Sequence, residues 1–180
     1  MKFNSRKLVF MALMAAISII LTRFFSIMLL NNTIRISFGD VPLILAGIIL
    51  GPVAGAVTGV VSDLLGVLIR AQGGFFPGFT LSAALTGLIP GLFFMNHKLE
   101  ENYLVRIIAA ILVTDIIVSL GLNTLWLSIM FGDAFLAVLP ARLMARAIIT
   151  PAQMFFVFTL IKYVRITPII ELKKEHLNAA

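Results

Sequence analysis

The chain has 180 residues, of which 61% are hydrophobic and 12% are charged, and its mean hydropathy is +1.10. A soluble domain of this size cannot bury so much apolar surface, so the composition predicts a polytopic membrane protein. The absence of cysteine excludes disulfides and thiolate chemistry. The formal net charge of +6 comes mainly from basic residues near the chain ends and in one short loop. That distribution is typical of membrane topology and does not indicate nucleic-acid binding.

Six apolar segments predict an all-α integral membrane protein with a bundle of six transmembrane helices. In chain order they cover about residues 8–30, 41–50, 53–69, 79–95, 104–131 and 137–163. The second segment is about half the roughly 20 residues that cross hydrocarbon, so we expect neighbouring helices to shield it. We expect Asp40 to be its N-cap, with Pro42 in the first turn, and Gly51-Pro52 to separate it from the third segment.

The positions of lysine and arginine predict which side each connection faces. The N-terminus, the 97–103 loop and the C-terminal tail carry most of the basic residues outside the helices, so both termini are predicted to be cytoplasmic at the cell membrane. The two long connections, 31–40 and 70–78, then face outward as loops 1 and 3. We expect one membrane domain over residues 1–165 and a cytoplasmic tail over 166–180.

Small residues recur every fourth position in several segments, which lets helices approach closely in lipid. We expect most of these stripes to pack inside the bundle. Their members are Gly47, Gly51, Gly55 and Gly59, then Ala83, Gly87 and Gly91, and finally Ala137, Ala141 and Ala145. Ala12 and Ala16 form a further stripe near the cytoplasmic end of the first helix, where packing inside the bundle and docking of a partner are both open.

Arg23, Arg142 and Arg146 lie within predicted spans, toward the outer side. An arginine at the centre of a span costs about 2.5–3.5 kcal/mol on insertion scales, so such residues usually face a cavity or an anionic partner. Arg142 and Arg146 are four residues apart and share a helix face. One hypothesis is an outward-facing anion pocket, since guanidinium groups bind carboxylates well. The alternatives are ion pairing with Asp63, Asp115 or Asp133, and snorkelling of the side chains to the lipid headgroups.

Asn123 and Trp126 lie three residues apart in the fifth segment and share a face, with Ser119 one turn earlier. An amide that hydrogen-bonds and an indole that stacks can recognise a flat heteroaromatic ring. The alternative is a tryptophan in the interfacial belt and an asparagine bonded to another helix.

The segment 71–80 combines three glycines with three phenylalanines around a proline. Glycine allows unusual backbone angles and phenylalanine supplies apolar cover, so we expect a lid over the pocket that carries Phe75, Phe76 and Phe79. Residues 34–38 alternate like a short strand and are a candidate second flap, which includes Arg35.

The sequence contains no nucleotide-binding loop of the Walker type, so we expect no ATP hydrolysis by this chain. Its only histidines, His97 and His176, fall in predicted water-exposed connections, which argues against a metal centre or a histidine-based triad. We therefore expect neither an enzyme nor a bound cofactor or metal.

Several stretches together resemble the substrate-binding S-components of energy-coupling factor vitamin transporters. They are ISFGDVPLILAG at 36–47, Gly51-Pro52, VSDLLG at 61–66 and the alanine pair Ala12 and Ala16. FPGFTLSA at 76–83, LNTLWL at 122–127 and LPAR at 139–142 are similar to the folate-specific subfamily. The resemblance covers residues 8–163.

This resemblance implies a six-helix subunit that binds folate from outside and associates with a membrane scaffold subunit and two cytoplasmic ATPases. It implies that Ala12 and Ala16 dock on the scaffold. Folate joins a flat pterin to a benzoate and a glutamate with two carboxylates, which suits the candidate site residues. We assign Asn123 to the pterin edge, Trp126 to stacking, and Arg23 and Arg142 to polar anchoring. Phe75, Phe76 and Phe79 would close over the ligand, while Arg35 and Arg146 are secondary candidates.

Three alternatives stay open from the sequence. The first is an S-component for another vitamin, such as pantothenate or a pyrimidine precursor. The second is a stand-alone carrier coupled to ions through Asp63 or Asp115. A membrane enzyme is the third, and it is disfavoured because no nucleophile or metal set is present.

Overall fold

The computed structural model describes residues 5–29, 34–70, 75–95, 103–132 and 134–166. Within these residues the chain forms six helices: α1 (Ser5–Arg23), α2 (Asp40–Leu50), α3 (Pro52–Ile69), α4 (Pro77–Phe93), α5 (Tyr103–Phe131) and α6 (Phe135–Ile166). Strands β1 (Ile27–Leu29) and β2 (Ile34–Ile36) pair antiparallel between α1 and α2, with Ile27 opposite Ile36. The predicted six-helix bundle is thereby confirmed, and a small β-ribbon joins its first two helices.

Four of these helices, α1, α3, α5 and α6, are long and apolar enough to cross a membrane. Helix α2 is shorter, and all of its residues from 41 to 48 are buried. Ile44, Ile111 and Val157 meet in one apolar cluster, so α2 packs against α5 and α6. The predicted shielding of the short second helix is confirmed by this burial, which keeps its backbone away from lipid.

Two details of the predicted first connection are wrong. The first helix ends at Arg23 instead of continuing to residue 30, because residues 27–29 pair with β2 across the ribbon. Asp40 is the first residue of α2 and not its N-cap, a position that Gly39 occupies without a side-chain hydrogen bond. The carboxylate of Asp40 pairs with Arg146 instead.

Glycines bring α2, α3 and α4 into backbone contact. A methyl group added to Gly87 would lie 2.2 Å from the carbonyl oxygen of Gly55, and one added to Gly47 would lie 2.1 Å from that of Gly87. A methyl group on Gly59 would similarly lie 2.1 Å from the carbonyl oxygen of Ala83. Packing inside the bundle is therefore confirmed for these two glycine stripes. Gly51 differs, because it has a φ of 99° and forms the break between α2 and α3.

We expect Gly87→Ala to destabilise the protein by about 1–3 kcal/mol, because the added methyl group has no room between α3 and α4. Thermal unfolding of the purified protein in detergent measures this loss. Gly121→Ala is the comparison variant, since its added methyl group would lie 3.3 Å from the Ile116 carbonyl oxygen, a contact that a shift of a few tenths of an ångström relieves. Equal losses in the two variants would contradict the close approach of these helices.

Helix α5 changes its winding in the middle. Residues Asp115–Leu122 form a π-helix, with α-helix on both sides. Such segments are rare and often occur at functional sites. Here the segment ends directly before Asn123, and its Ser119 carbonyl oxygen accepts a hydrogen bond from Arg142. The sequence analysis did not predict this change of helix type.

Candidate ligand-binding site

A cavity of about 610 Å³ opens among the ends of the helices that the sequence places on the outer side. It lies between the C-terminal end of α1, the start of α2, the C-terminal end of α3, the start of α4, and the facing parts of α5 and α6. Its polar lining consists of Ser18, Thr22, Arg23, Ser26, Ser37, Asp40, Ser62, Asp63, Arg70, Ser82, Thr86, Asn123, Arg142 and Arg146. Its apolar lining includes Phe75, Phe76, Phe79 and Leu127. The cavity is therefore amphipathic and suits a ligand with both ring and polar parts.

Arg146 is held by two carboxylates in the inner part of the cavity. Its Nη1 lies 3.1 Å from Asp115 Oδ1, and its Nη2 lies 3.3 Å from Asp40 Oδ2. Asp115 is buried and also accepts hydrogen bonds from Ser119 and Thr150. Because its charge is matched at close range, Arg146 joins α2, α5 and α6 and acts first as a structural group.

Arg142, one turn before Arg146, has a different environment. Its Nη2 donates to the carbonyl oxygen of Ser119 at 3.1 Å, while its buried Nε has no hydrogen-bond partner. Among the described residues no carboxylate pairs with Arg142. A buried guanidinium that keeps a donor unused at a cavity wall is suited to an acceptor on a ligand.

Asn123 faces the same cavity from α5. Its Oδ1 is buried and has no hydrogen-bond partner within the described part of the chain. A buried polar atom without a partner is costly, and a ligand that donates to it removes that cost. Asn123 and Arg142 thus offer one acceptor and one donor to a bound molecule.

Trp126 does not line the cavity and packs behind it. Its ring lies 5.6 Å from that of Phe76 between centroids, and its Nε1 donates to Ser82 Oγ at 3.1 Å. It also covers Gly78, where an added methyl group would lie 2.5 Å from the indole. Trp126 therefore supports the Phe76 side of the cavity. The structure does not place its indole for the direct stacking on a ligand that we assigned to it, because Phe76 lies at the cavity wall in that position.

Asp63 connects Arg23 with the start of α4. Arg23 Nη2 lies 3.3 Å from Asp63 Oδ1, and Thr80 Oγ1 donates to Asp63 Oδ2 at 2.8 Å. Gly66 makes room for this arrangement, because a methyl group there would lie 2.8 Å from Arg23 Nε. The three helices α1, α3 and α4 are thus joined beside Phe76 and Phe79.

The aromatic residues of the predicted lid lie at the cavity. Phe76 and Phe79 contact each other edge to face at 6.0 Å between centroids, and Phe75 is 55% exposed. Residues 71–74 of the same segment lie outside the described residues, as does the side chain of Arg35. The backbone of Arg35 forms part of β2, so the predicted strand is confirmed while its role as a flap stays a prediction.

Of the residues named from the sequence, Arg23, Asn123, Arg142, Arg146, Phe75, Phe76 and Phe79 all reach this cavity. The cavity is also lined by residues that were not predicted as site residues, among them Asp40, Arg70, Ser82 and Thr86. Asp40 and Arg70 are charged residues at helix ends, so charge and position were available signals. Ser82 and Thr86 gave no signal, because hydroxyl residues are common on helices that pack in membranes.

The helices and the cavity define a class, an integral membrane protein with an amphipathic ligand pocket between its helix ends. The chain belongs to the family described as ECF transporter, substrate-specific component, whose pattern matches residues 6–171. This family consists of transporter subunits, so the chain is a multi-pass membrane protein for substrate binding and not an enzyme. The S-component expectation from the sequence is confirmed.

Individual relatives agree with this family. The chain is 36% identical to the folate transporter FolT of Clostridium novyi over 151 aligned residues. The aligned residues make up 84% of this chain and 85% of the relative. The chain is 29% identical over 157 residues to FolT of Leuconostoc mesenteroides, with 84% and 82% covered. A crystal structure of FolT bound with folic acid has a TM-score of 0.75 at 32% identity and covers 88% of this chain and 93% of that one. A bacterial ECF transporter S component at 24% identity, with a TM-score of 0.62, shares the fold.

Proposed function

We propose that the protein captures folate from outside the cell and delivers it as the substrate-binding subunit of an ECF importer. The observation that carries this proposal is the cavity with two unsatisfied polar groups, Asn123 Oδ1 and Arg142 Nε, beside a cluster of phenylalanines. The similarity to FolT proteins supports folate as the ligand.

The chemistry of the cavity suits the two ends of folate differently. The pterin is a flat ring with adjacent N–H donors and a carbonyl acceptor. Asn123 Oδ1 accepts from such donors, and Arg142 donates to the carbonyl, while Phe76 and Phe79 cover the ring faces. The glutamate end carries two carboxylates and suits the guanidinium of Arg23, whose position Asp63 fixes. In this proposal Arg146 lines the cavity and holds the carboxylates of Asp40 and Asp115, while Trp126 supports the site from behind.

The exposed face of α1 is the proposed docking surface for the scaffold subunit. Ala12 and Ala16 are both exposed, together with Val9, Leu13 and Ile20. Small residues on an apolar helix face allow another helix to approach closely. The scaffold would bind there and two cytoplasmic ATPases would supply the energy, since this chain has no nucleotide-binding loop.

We expect Ala16→Leu to lower folate uptake about tenfold while folate binding by the isolated subunit stays unchanged. The larger side chain would hold the partner helix away at a cost of a few kcal/mol. Uptake of labelled folate by cells that express the whole transporter measures the first effect, and equilibrium binding measures the second. Leu112→Ala, on the exposed face of α5, is a control for changes at an apolar surface. A loss of binding in Ala16→Leu would contradict a role limited to docking.

Uptake with and without the partners tests the proposed function as a whole. Cells that lack their own folate import should take up labelled folate only when this chain is expressed with a scaffold subunit and both ATPases. Excess folate should compete, whereas pantothenate and riboflavin should not. Uptake by this chain alone that follows a proton or sodium gradient would instead favour an ion-coupled carrier. In the structure Asp63 and Asp115 are paired with arginines, which disfavours that alternative.

A further inference from the structure

Arg70 lies at the mouth of the cavity, where it follows the last residue of α3. It is exposed, yet its side chain lines the cavity and its Nη1 donates to the carbonyl oxygen of Arg23 at 3.1 Å. This hydrogen bond fixes the guanidinium over the C-terminal end of α1. A guanidinium has five N–H donors, so most of its hydrogen-bonding capacity remains available. Within the described part of the chain, no carboxylate pairs with it.

The charged residues at the cavity fall into two groups. In the inner group Arg146 pairs with Asp40 and with Asp115, which is not itself a lining residue, while Arg142 has no carboxylate partner among the described residues. The formal charges of these four residues sum to zero. The outer group contains Arg23 and Arg70 with Asp63 alone, which leaves one positive charge in excess. A ligand with one neutral polar end and one anionic end is therefore stabilised with its anionic end outward.

The position of the inner group along the helices agrees with this orientation. Arg142 lies seven residues after the first residue of α6, which corresponds to roughly 10 Å along the helix from its start. Arg70, in contrast, follows the end of α3 and borders the opening. A ligand that reaches Arg142 with its ring leaves its charged end near Arg23 and Arg70.

We infer that Arg70 is a carboxylate-binding residue at the cavity mouth and determines selectivity for the glutamate part of the ligand. This inference rests on the proposed function. Because Arg70 is exposed, a chain attached to the outermost carboxylate continues into solvent without entering the cavity. The substrate class therefore includes folates that carry additional γ-linked glutamates as well as folate itself.

The alternative for Arg70 is a purely structural role, in which it only satisfies a free carbonyl oxygen at the end of α1. The two roles differ in their dependence on the ligand. A structural residue affects every ligand of the pocket equally, whereas a carboxylate-binding residue affects only ligands that carry the carboxylate. Pteroamide, the neutral amide of pteroic acid, has the pterin and the benzoyl group but no carboxylate, and it separates the two.

The test is equilibrium binding of pteroamide, folate and pteroyl-γ-triglutamate to the purified full-length protein in detergent. Arg70→Gln should weaken folate and triglutamate binding about fivefold, since exposed ion pairs contribute modestly. It should leave pteroamide binding unchanged, because that ligand carries no carboxylate. Arg70→Lys should retain part of the affinity for folate and triglutamate that Arg70→Gln loses. The difference in affinity between the wild type and Arg70→Gln should shrink at high salt. Arg6→Gln, an exposed residue near the start of α1, removes the same charge far from the cavity and should change none of the three affinities.

Each other outcome overturns a defined part. Equal weakening of pteroamide and folate binding by Arg70→Gln, or no weakening of either, would leave only the structural role. If the wild-type protein bound folate but bound the triglutamate more than tenfold more weakly, the claim that additional glutamates extend from the cavity into solvent would be refuted. If wild-type protein bound none of the three ligands, the proposed function would fall, and the role of Arg70 with it.

Discussion

Replacing Arg142 with glutamine is expected to weaken folate binding by about 2 kcal/mol, or roughly 30-fold, without loss of folding stability. The expected loss is large because Arg142 offers a charge-assisted donor from a desolvated position. The fold should tolerate the change because Arg142 neutralises no carboxylate among the described residues. Glutamine keeps a donor that can still reach the Ser119 carbonyl oxygen.

Calorimetric titration of wild type and variant with folate measures this effect, and thermal unfolding without ligand measures stability. Arg106→Gln is a control for removal of one arginine from a span, because Arg106 lies near the start of α5, whereas the residues of α5 that line the cavity lie toward its end. Unchanged folate affinity in Arg142→Gln would remove this residue from the site. A large loss of stability would instead assign it a structural role.

The same substitution one turn later should have the opposite consequence. Arg146→Gln is expected to destabilise the fold by about 3–5 kcal/mol, because it leaves the carboxylate of Asp115 buried without its partner. For a chain of this size that corresponds to a fall in unfolding temperature on the order of 10 °C. The neighbouring carboxylate of Asp40 should add less, since its side chain is 33% exposed.

A second substitution separates charge imbalance from lost packing. Arg146→Gln combined with Asp115→Asn removes both buried charges and should recover most of the lost stability, because the uncompensated carboxylate is gone. Unfolding temperatures of the wild type, the two single variants and the double variant provide the comparison. If the double variant were as unstable as Arg146→Gln alone, the pairing would not be the source of the loss.

The fold was largely predictable because membranes impose strong constraints on sequence. The apolar segments gave the six helices, and the short second segment predicted a shielded helix, as the burial of residues 41–48 confirms. The end of α1 was not predictable in this way. Residues 27–29 are as apolar as the helix before them, and only their pairing with residues 34–36 makes them a strand. The π-helical part of α5 was likewise not predicted, because its apolar pattern does not differ from that of the α-helix on either side.

The site was predictable in its residue types but not in their pairing. The sequence placed Arg23, Arg142 and Arg146 near one another and left open whether they meet a ligand or aspartates. The structure divides them, because Arg23 and Arg146 form ion pairs while Arg142 forms none with the residues that the structure describes. The distinction depends on side-chain geometry across three helices, which four-residue spacing on one helix cannot supply.

Trp126 illustrates the same limit. Its spacing from Asn123 correctly indicated a shared side of α5, yet only Asn123 reaches the cavity. The indole contacts Phe76, which directly precedes α4, and Gly78 and Ser82 in the first turns of that helix. A helix face spans a wide angle, so two residues on it can meet different neighbours.

Folate titration monitored by tryptophan fluorescence tests the central claim most directly, because Trp126 is the only tryptophan and contacts the cavity-lining Phe76. We expect saturable quenching by folate at submicromolar concentration, with none from pantothenate or riboflavin. Asn123→Ala should shift the same curve to higher folate concentration. Absence of quenching together with absence of heat in a parallel calorimetric titration would contradict folate as the ligand of this cavity.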